Sequence, residues 1–171
     1  MIAREAGRLG LAVHIHSTDG AGGFYNARGS DPQLLESAFN DSTLRGANFV
    51  IVHGGWPLVE RTMGMLWKAN VYADFSMMDV AADPTELARA LRLWLSEWPD
   101  KVLFGTDAFE GGPEQKWEQG AWLASASARH ALGVALTGMM RDGEITRARA
   151  ERIARMVLRD NAVALYKLEA K

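Results

Sequence analysis

The sequence predicts an α/β fold in which four parallel strands alternate with helices and further helices follow. Four short apolar segments have the length and composition of strands, at residues 11–16, 49–53, 70–76 and 101–105. Helical patterns separate these segments, which is typical of a parallel sheet with right-handed crossover connections. After residue 105 only helical patterns remain. The interpretation is therefore an α/β protein with a parallel sheet, followed by C-terminal helices.

The first strand follows a short helix predicted at residues 2–9. Gly10 ends this helix, because glycine adopts the left-handed conformation of a helix C-terminus at little cost. Along a strand, alternate side chains share a face, so His14 and His16 point to one side and Ile15 to the other. A glycine-rich loop at residues 17–30 comes next, and loops of that length are often functional.

The second and third strands have different patterns. Asp31 and Pro32 predict an N-cap and a first-turn proline, which begin a helix over 31–39. Residues 49–53 form a continuous apolar run, as in sheets covered on both faces. A glycine- and proline-containing turn and a helix over 58–68 follow. In the third strand the apolar and polar positions alternate: Val71, Ala73 and Phe75 against Tyr72, Asp74 and Ser76.

The remaining helices are predicted from caps and periodicity. Asp83 and Glu86 have the spacing of a capping box, and the helix that they open has one apolar stripe. A long helix is predicted from Pro113 to about residue 141. Two more are predicted at 146–159 and 162–168.

Composition narrows the class of protein. The chain has 171 residues, of which 48% are hydrophobic, and a formal net charge of −2. We expect one domain over residues 1–171, because this length and composition suffice for one core. Neither nucleic acid nor a membrane is an expected partner, since no lysine and arginine cluster occurs and no long apolar run is present. The expected partner is a small-molecule substrate.

The absence of cysteine restricts the chemistry that a site could use. There is no cysteine in the chain, so disulfides and thiolate metal sites are excluded. This composition fits the cytoplasm. The N-terminal residues lack the apolar core of a secretory signal, and we expect a soluble cytoplasmic protein. Any metal ion must be held by histidine or by a carboxylate.

Polar residues at three strand ends suggest one site. His16, His53 and Asp107 each end or follow an apolar strand, and each precedes a turn that contains glycine or proline. Ligands gather at the carboxyl ends of parallel strands, so these side chains are candidates for a shared metal site. His14, one layer deeper, is a fourth candidate ligand. Candidate substrate contacts are Arg28, Trp56 and Glu110.

Structural roles remain open for the same residues. His14 could be a hydrogen-bonded interior histidine, His16 could anchor the following loop, and His53 could cap the following helix. Asp107 has a further alternative, because aspartate is a favoured N-cap. Asp74 could reach the site or meet a neighbouring helix.

Five motifs, taken in order, resemble a known family. The segments HIHSTDG, FVIVHGGWP, NVYADFS, KVLFGTDA and RDNAVALYKL are similar to the second half of a metal-dependent amidohydrolase barrel of the amidohydrolase 2 type. This group includes decarboxylases and lactonases. The resemblance implies an eight-stranded barrel in which the four strands here are the fifth to eighth. It matches His16 to the metal ligand of the fifth strand, His53 to the sixth-strand histidine and Asp107 to the eighth-strand aspartate.

One departure from the family pattern affects the interpretation. The family's first strand has another H-x-H pair, and this sequence contains no earlier segment to supply it. We therefore expect either a missing N-terminal half or a homo-oligomer. The alternative, that His14 and His16 are themselves the first-strand pair, stays open, although a barrel needs about 250 residues.

The resemblance implies a metal-dependent hydrolase with zinc as the expected divalent ion. Metal-activated water would attack an amide, lactone or ester carbonyl. Asp107 would transfer the proton, and His53 would hold the water or polarise the carbonyl. A decarboxylase of the same superfamily is an alternative. Two others are a catalytically silent half-barrel that needs a partner chain and a binding module without metal.

Overall fold

The computed structural model describes residues 2–18, 24, 26–112, 114 and 116–168. Its centre is a parallel four-stranded sheet in the order β1-β2-β3-β4. These strands are β1 Ala12–His16, β2 Asn48–Val52, β3 Val71–Asp74 and β4 Val102–Leu103. The predicted fold class, half of a (β/α)8 barrel with C-terminal helices, is confirmed. Because all strands run the same way, their carboxyl ends lie along one edge of the sheet.

Eight α-helices are present in the described part of the chain. They are α1 Ile2–Leu9, α2 Glu36–Asn40, α3 Val59–Leu66, α4 Met78–Ala81, α5 Pro84–Leu95, α6 Trp117–Arg141, α7 Arg147–Arg155 and α8 Asn161–Tyr166. Short 3-10 turns accompany the loops, and a π-helical turn, Met156–Asp160, joins α7 to α8. No helix among the described residues is long and apolar enough to span a bilayer.

The main core lies between the sheet and the helices on its outer face. Phe49, Ile51 and Val71 point into this core and are at most 2% exposed. Trp94 of α5 is fully buried beside them, and its indole Nε1 donates a hydrogen bond to the Val59 carbonyl oxygen at 2.9 Å. This bond satisfies the polar atom of a large buried ring, so α5 and α3 are held together without an unpaired donor.

The inner face of the sheet is covered only in part. Val50, Leu103 and Leu165 form a small buried cluster there. The side-chain amide of Asn161 donates to the carbonyl oxygens of Pro99 and Val102, both at 2.8 Å. These bonds fix α8 at the amino end of β4. The other end of the inner face, toward the carboxyl ends of the strands, is where the candidate site lies.

Several element boundaries differ from the prediction. The Asp31 side chain accepts a hydrogen bond from the backbone N–H of Gln33 at 3.0 Å, so the predicted N-cap is confirmed. The single helix predicted over 31–39 is instead a 3-10 turn, Pro32–Leu35, followed by the five-residue α2. Helix α4 was not predicted. Helix α6 begins at Trp117, and its predicted start at Pro113 lies outside the described residues.

The capping prediction for α5 is confirmed at one of its two residues. Asp83 accepts a hydrogen bond from the Thr85 backbone N–H at 2.8 Å, as an N-cap does. The Glu86 carboxylate accepts a hydrogen bond from the Trp56 indole Nε1 at 3.1 Å. Glu86 therefore joins α5 to the turn after β2, a contact between segments 30 residues apart that local spacing does not reveal.

Candidate functional site

Two of the predicted site residues meet at the carboxyl ends of β1 and β2. His16 is the last residue of β1 and pairs in register with Val52, the last residue of β2. His53 follows Val52 directly. The imidazole centroids of His16 and His53 are 4.8 Å apart, and the ring planes are inclined at 82°. His53 is 3% exposed, whereas His16 is exposed, so the pair joins a fixed ring to one that a ligand can reach.

The turn after β2 positions the His53 ring. His53 has a φ of 64°, and Gly54 and Gly55 have φ values of 59° and 67°. A non-glycine residue rarely adopts this left-handed conformation, and such positions cluster at functional sites. The Thr62 hydroxyl of α3 donates to the Gly54 carbonyl oxygen at 2.7 Å. This bond ties the turn to the helix that follows it.

The carboxylate of Asp74, at the end of β3, accepts three hydrogen bonds close to the histidine pair. Oδ1 of Asp74 accepts from the backbone N–H of His53 at 3.0 Å and from that of Ser76 at 3.0 Å. It also accepts from the Ser76 hydroxyl at 2.5 Å. Asp74 is 8% exposed and Ser76 is 5% exposed. The network thus links the end of β3 to the turn after β2.

Ser76 also contacts the His53 ring. Nδ1 of His53 lies 3.1 Å from the Ser76 carbonyl oxygen and 2.9 Å from its hydroxyl oxygen. The sequence leaves the role of Asp74 open, and Ser76 is not among the predicted site residues. The strand alternation that places His14 and His16 on one face also places Asp74 and Ser76 together, and this signal was available in the sequence.

Asp107 follows β4 and is exposed, with a φ of 49°. The ends of β3 and β4 are close, because a Cβ added at Gly105 would lie 3.1 Å from the Cβ of Ser76. Glycine at this position leaves room for this close approach. Asp107 therefore follows a strand end that lies beside the Asp74 and Ser76 network.

Asp79 of α4 is a second carboxylate near this edge, and the sequence analysis missed it. It is 1% exposed, and neither carboxylate oxygen has a hydrogen-bond partner in the described part of the chain. Burial, together with the charges of Asp74 and Asp107, raises the pKa of Asp79 to about 7. No local pattern marks such a residue, because its burial results from the packing of α4 against α6.

His14 takes part in a different contact. Its Nε2 lies 2.9 Å from the hydroxyl oxygen of Tyr166 in α8, and the two ring centroids are 5.7 Å apart. Burial raises the pKa of this tyrosine to about 12, and the charge of Asp74 adds to the shift. His14 thus has a partner on the C-terminal helix. Its predicted role as a metal ligand stays a prediction.

The three predicted substrate contacts lie in different surroundings. Trp56 donates its indole N–H to Glu86, as described above, and Glu110 pairs with Lys116 at 2.6 Å. Arg28 is exposed and lines a surface cavity of about 310 Å³ together with Asp31 and Arg61. The structure does not bring the three into one cluster with the histidine pair, and their roles stay predictions.

The donor set fits a divalent metal ion in kind, since imidazole nitrogen is a preferred ligand of zinc and related ions. The number of ligating side chains that meet is too small. Across the described residues, no three histidine, aspartate or glutamate side chains form a group that could hold one ion. The structure brings His16 and His53 together and does not add Asp107 or His14 to them. Coordination by all four residues stays a prediction.

Comparison with a solved structure supports the fold. The chain is similar to a protein from Lactobacillus casei ATCC 334 that is provisionally named a metal-dependent hydrolase. The TM-score is 0.80 and the sequence identity is 18%. The match covers 97% of this chain and 42% of the other, so the chain spans less than half of that protein's length. No protein of curated function matches the chain.

A family model matches nearly the whole chain. Residues 2–168 match the model described as amidohydrolase. The match includes all four strands, the histidine pair, Asp74 and Asp107. On the strength of this coverage, the chain belongs to the amidohydrolase family.

Proposed function

We propose that this chain supplies half of the active site of a metal-dependent hydrolase that cleaves an amide, lactone or ester bond. The observation that carries the proposal is the meeting of His16 and His53 at the carboxyl ends of adjacent strands, with ring centroids 4.8 Å apart. Family membership and the parallel sheet support the same conclusion, because barrel enzymes place their chemistry at this end of the strands.

A divalent ion, with zinc as the proposed identity, would be held by His16, His53 and Asp107. When bound, such an ion lowers the pKa of water to about 7 and polarises a carbonyl group. The two imidazoles are suited to this role, since one is fixed by burial and the other is accessible. Ligands from elsewhere would complete the set, because only the two imidazoles meet among the described residues, whereas a catalytic zinc ion takes three protein ligands and a water.

Asp107 is the proposed proton carrier. An exposed carboxylate beside the strand ends can accept a proton from the attacking water and return it to the leaving group. His53 would orient that water or the carbonyl oxygen of the substrate. The same residues could serve a decarboxylase, which would need no hydrolytic water, and decarboxylation is the second candidate reaction.

We further propose that activity needs a complementary segment, which would cover the open edges of the sheet. In the described residues, β1 pairs only with β2 and β4 pairs only with β3, so two strand edges are open. Large apolar side chains are exposed on α1, which contacts β1, and on α6, which follows β4; among them are Leu9 at 55% and Trp122 at 72%. Exposed edges and apolar patches of this kind are normally covered by another part of the fold or by a partner.

The order of elements indicates what the complementary segment contains. The chain has a helix before its first strand and another after its last strand. A barrel has one outer helix for each gap between strands. A segment that begins and ends with a strand, with four strands and three helices, would fill the remaining positions. A second copy of this chain would instead place its α1 and the first copy's α6 in the same gap.

The test uses the longest reading frame that contains this chain, purified with its metal content measured. Asp107→Asn is expected to lower turnover of an ester or lactone by about 10²–10⁴-fold, because it removes the proton carrier. Far-UV circular dichroism should remain unchanged. Removal of metal with a chelator should abolish activity, and added zinc should restore it.

Asp100→Asn is the matched control, since Asp100 is exposed and precedes β4 at the opposite end of the sheet. This variant should retain full turnover. Equal turnover in the wild type and Asp107→Asn would contradict the role of Asp107. Full activity after complete metal removal would contradict metal dependence.

A further inference from the structure

Asp74 holds the backbone of His53 in a conformation that the residue would not otherwise favour. His53 has a φ of 64°, and its backbone N–H donates to Asp74 Oδ1 at 3.0 Å. The same oxygen accepts from the backbone N–H and the hydroxyl of Ser76. Hydrogen bonds to an ionised acceptor are among the stronger ones in proteins. Asp74 therefore connects the left-handed turn to the end of β3.

The contacts of the His53 ring determine where its proton lies. Nδ1 is 3.1 Å from the Ser76 carbonyl oxygen, and a carbonyl oxygen can only accept. Nδ1 must therefore carry the hydrogen. The Ser76 hydroxyl, 2.9 Å from Nδ1, donates its own hydrogen to Asp74 and so is also an acceptor toward the ring. Both contacts require the same tautomer.

The required tautomer is the less common one for a neutral histidine in water, where the hydrogen favours Nε2. With Nδ1 protonated, Nε2 carries the lone pair. Within the described part of the chain, Nε2 has no hydrogen-bond partner. Metal-binding histidines in general donate their other ring N–H to a carboxylate or a carbonyl, which fixes the ring and its tautomer.

We infer that Asp74 is a positioning residue that, through Ser76, fixes His53 in the Nδ1–H tautomer and leaves Nε2 free as a ligand or proton acceptor. The significance of the free Nε2 rests on the proposed function. The tautomer itself does not, because it follows from the contacts of Asp74, Ser76 and His53. Asp74 need not touch substrate or metal in this role.

The experiment is a long-range proton–nitrogen correlation spectrum of the ¹⁵N-labelled chain at pH 8, where imidazoles are mostly neutral. The chain has four histidines, and the signals of His53 are identified by their loss in His53→Gln. In the wild type, Nδ1 should be protonated and Nε2 unprotonated. Asp74→Asn should lower the ratio of the Nδ1–H to the Nε2–H form about tenfold, as expected for the loss of a charge-assisted hydrogen bond.

Two further variants separate positioning from a general effect on the fold. Ser76→Ala removes the hydroxyl and keeps the carbonyl acceptor, so it should lower the ratio by a smaller factor. This variant decides the question if Asp74→Asn does not fold. Asp79→Asn is the matched control, because Asp79 is also a buried aspartate and has no bond to His53. It should leave the ratio unchanged.

The proposal is overturned if wild-type His53 carries its proton mainly on Nε2. It is also overturned if the ratio in the folded Asp74 and Ser76 variants stays within twofold of the wild-type value. Zinc uptake is measured separately. A protonated Nδ1 that shifts in the variants, together with no zinc uptake, would support the positioning role while contradicting the proposed function.

Discussion

Asp79 shows how one residue can couple stability to pH. Its carboxylate is 1% exposed, and neither of its oxygens has a partner among the residues that the structure describes. Burial raises the pKa to about 7. The folded state therefore binds the proton more tightly than the unfolded state does. Protonated Asp79 therefore contributes fully to the stability of the folded state below pH 4, and this contribution is lost as the pH rises toward and through 7.

Asp79→Asn is predicted to stabilise the protein more at high pH than at low pH. Asparagine does not ionise, so the variant should avoid the cost of a buried charge. The gain in the free energy of unfolding should be about 2–3 kcal/mol larger at pH 8 than at pH 5, since one pKa unit corresponds to about 1.4 kcal/mol. Urea unfolding of both proteins at the two pH values measures this difference. An equal gain at both values would contradict the raised pKa.

At the scale of elements, the turn between β2 and α3 depends on two consecutive glycines. A Cβ added at Gly54 would overlap the Trp94 side chain and lie 3.1 Å from the Met78 sulfur. One added at Gly55 would lie 2.5 Å from the Thr62 hydroxyl oxygen. Both glycines have positive φ, which a residue with a side chain adopts only at some cost. The turn that positions His53 therefore tolerates little substitution.

Gly54→Ala is predicted to destabilise the protein by about 2–4 kcal/mol, because it combines an unfavourable φ with an overlap in the core. It should also displace the His53 ring. Thermal or urea unfolding measures the first effect. The long-range nitrogen spectrum measures the second.

Gly64→Ala provides the matched control for the same change of residue. Gly64 lies inside α3, and a Cβ there would meet nothing within 4 Å. Alanine favours a helix over glycine by about 0.5–1 kcal/mol, so this variant should be more stable than the wild type. Similar destabilisation by both substitutions would contradict a specific constraint at Gly54.

At the scale of the whole molecule, the two faces of the sheet are covered unequally. The outer face packs against the helices and contains most of the buried apolar residues. The inner face has a cluster of three buried residues, completed by α8. Ile2 of α1 and Trp122 of α6 are 83% and 72% exposed. This distribution is that of an open half of a barrel.

The chain alone is predicted to self-associate through its open strand edges and its exposed apolar side chains, because such surfaces pair with other chains. Trp122→Lys should weaken the association at least about tenfold, since burial of a large apolar side chain contributes about 1.5–3 kcal/mol. Sedimentation or light scattering over a range of concentrations measures the effect. Val134→Lys is the control, at an exposed position 12 residues further along α6. Equal weakening by both variants would contradict an association that involves the surface around Trp122.

The sequence alone determined the local features of this protein. The alternation of polar and apolar residues predicted the strands and placed His14 and His16 on one face. Asp31 and Asp83 predicted helix starts because an N-cap satisfies backbone groups only two residues away. The order of five motifs indicated the family. Apart from the order of the motifs, each of these signals depends on residues close together along the chain.

Only the tertiary structure decided which side chains meet. His14 contacts Tyr166, which is 152 residues away in the sequence. His53 receives its partners from the last residue of β3 and from Ser76 after it, and Asp79 is buried by α6. The sheet register and the crossover helices fix these contacts, and both result from packing over the whole domain. Strand-end residues could therefore be proposed from the sequence. Their hydrogen-bond partners, and how many of them meet in one site, could be known only from the fold.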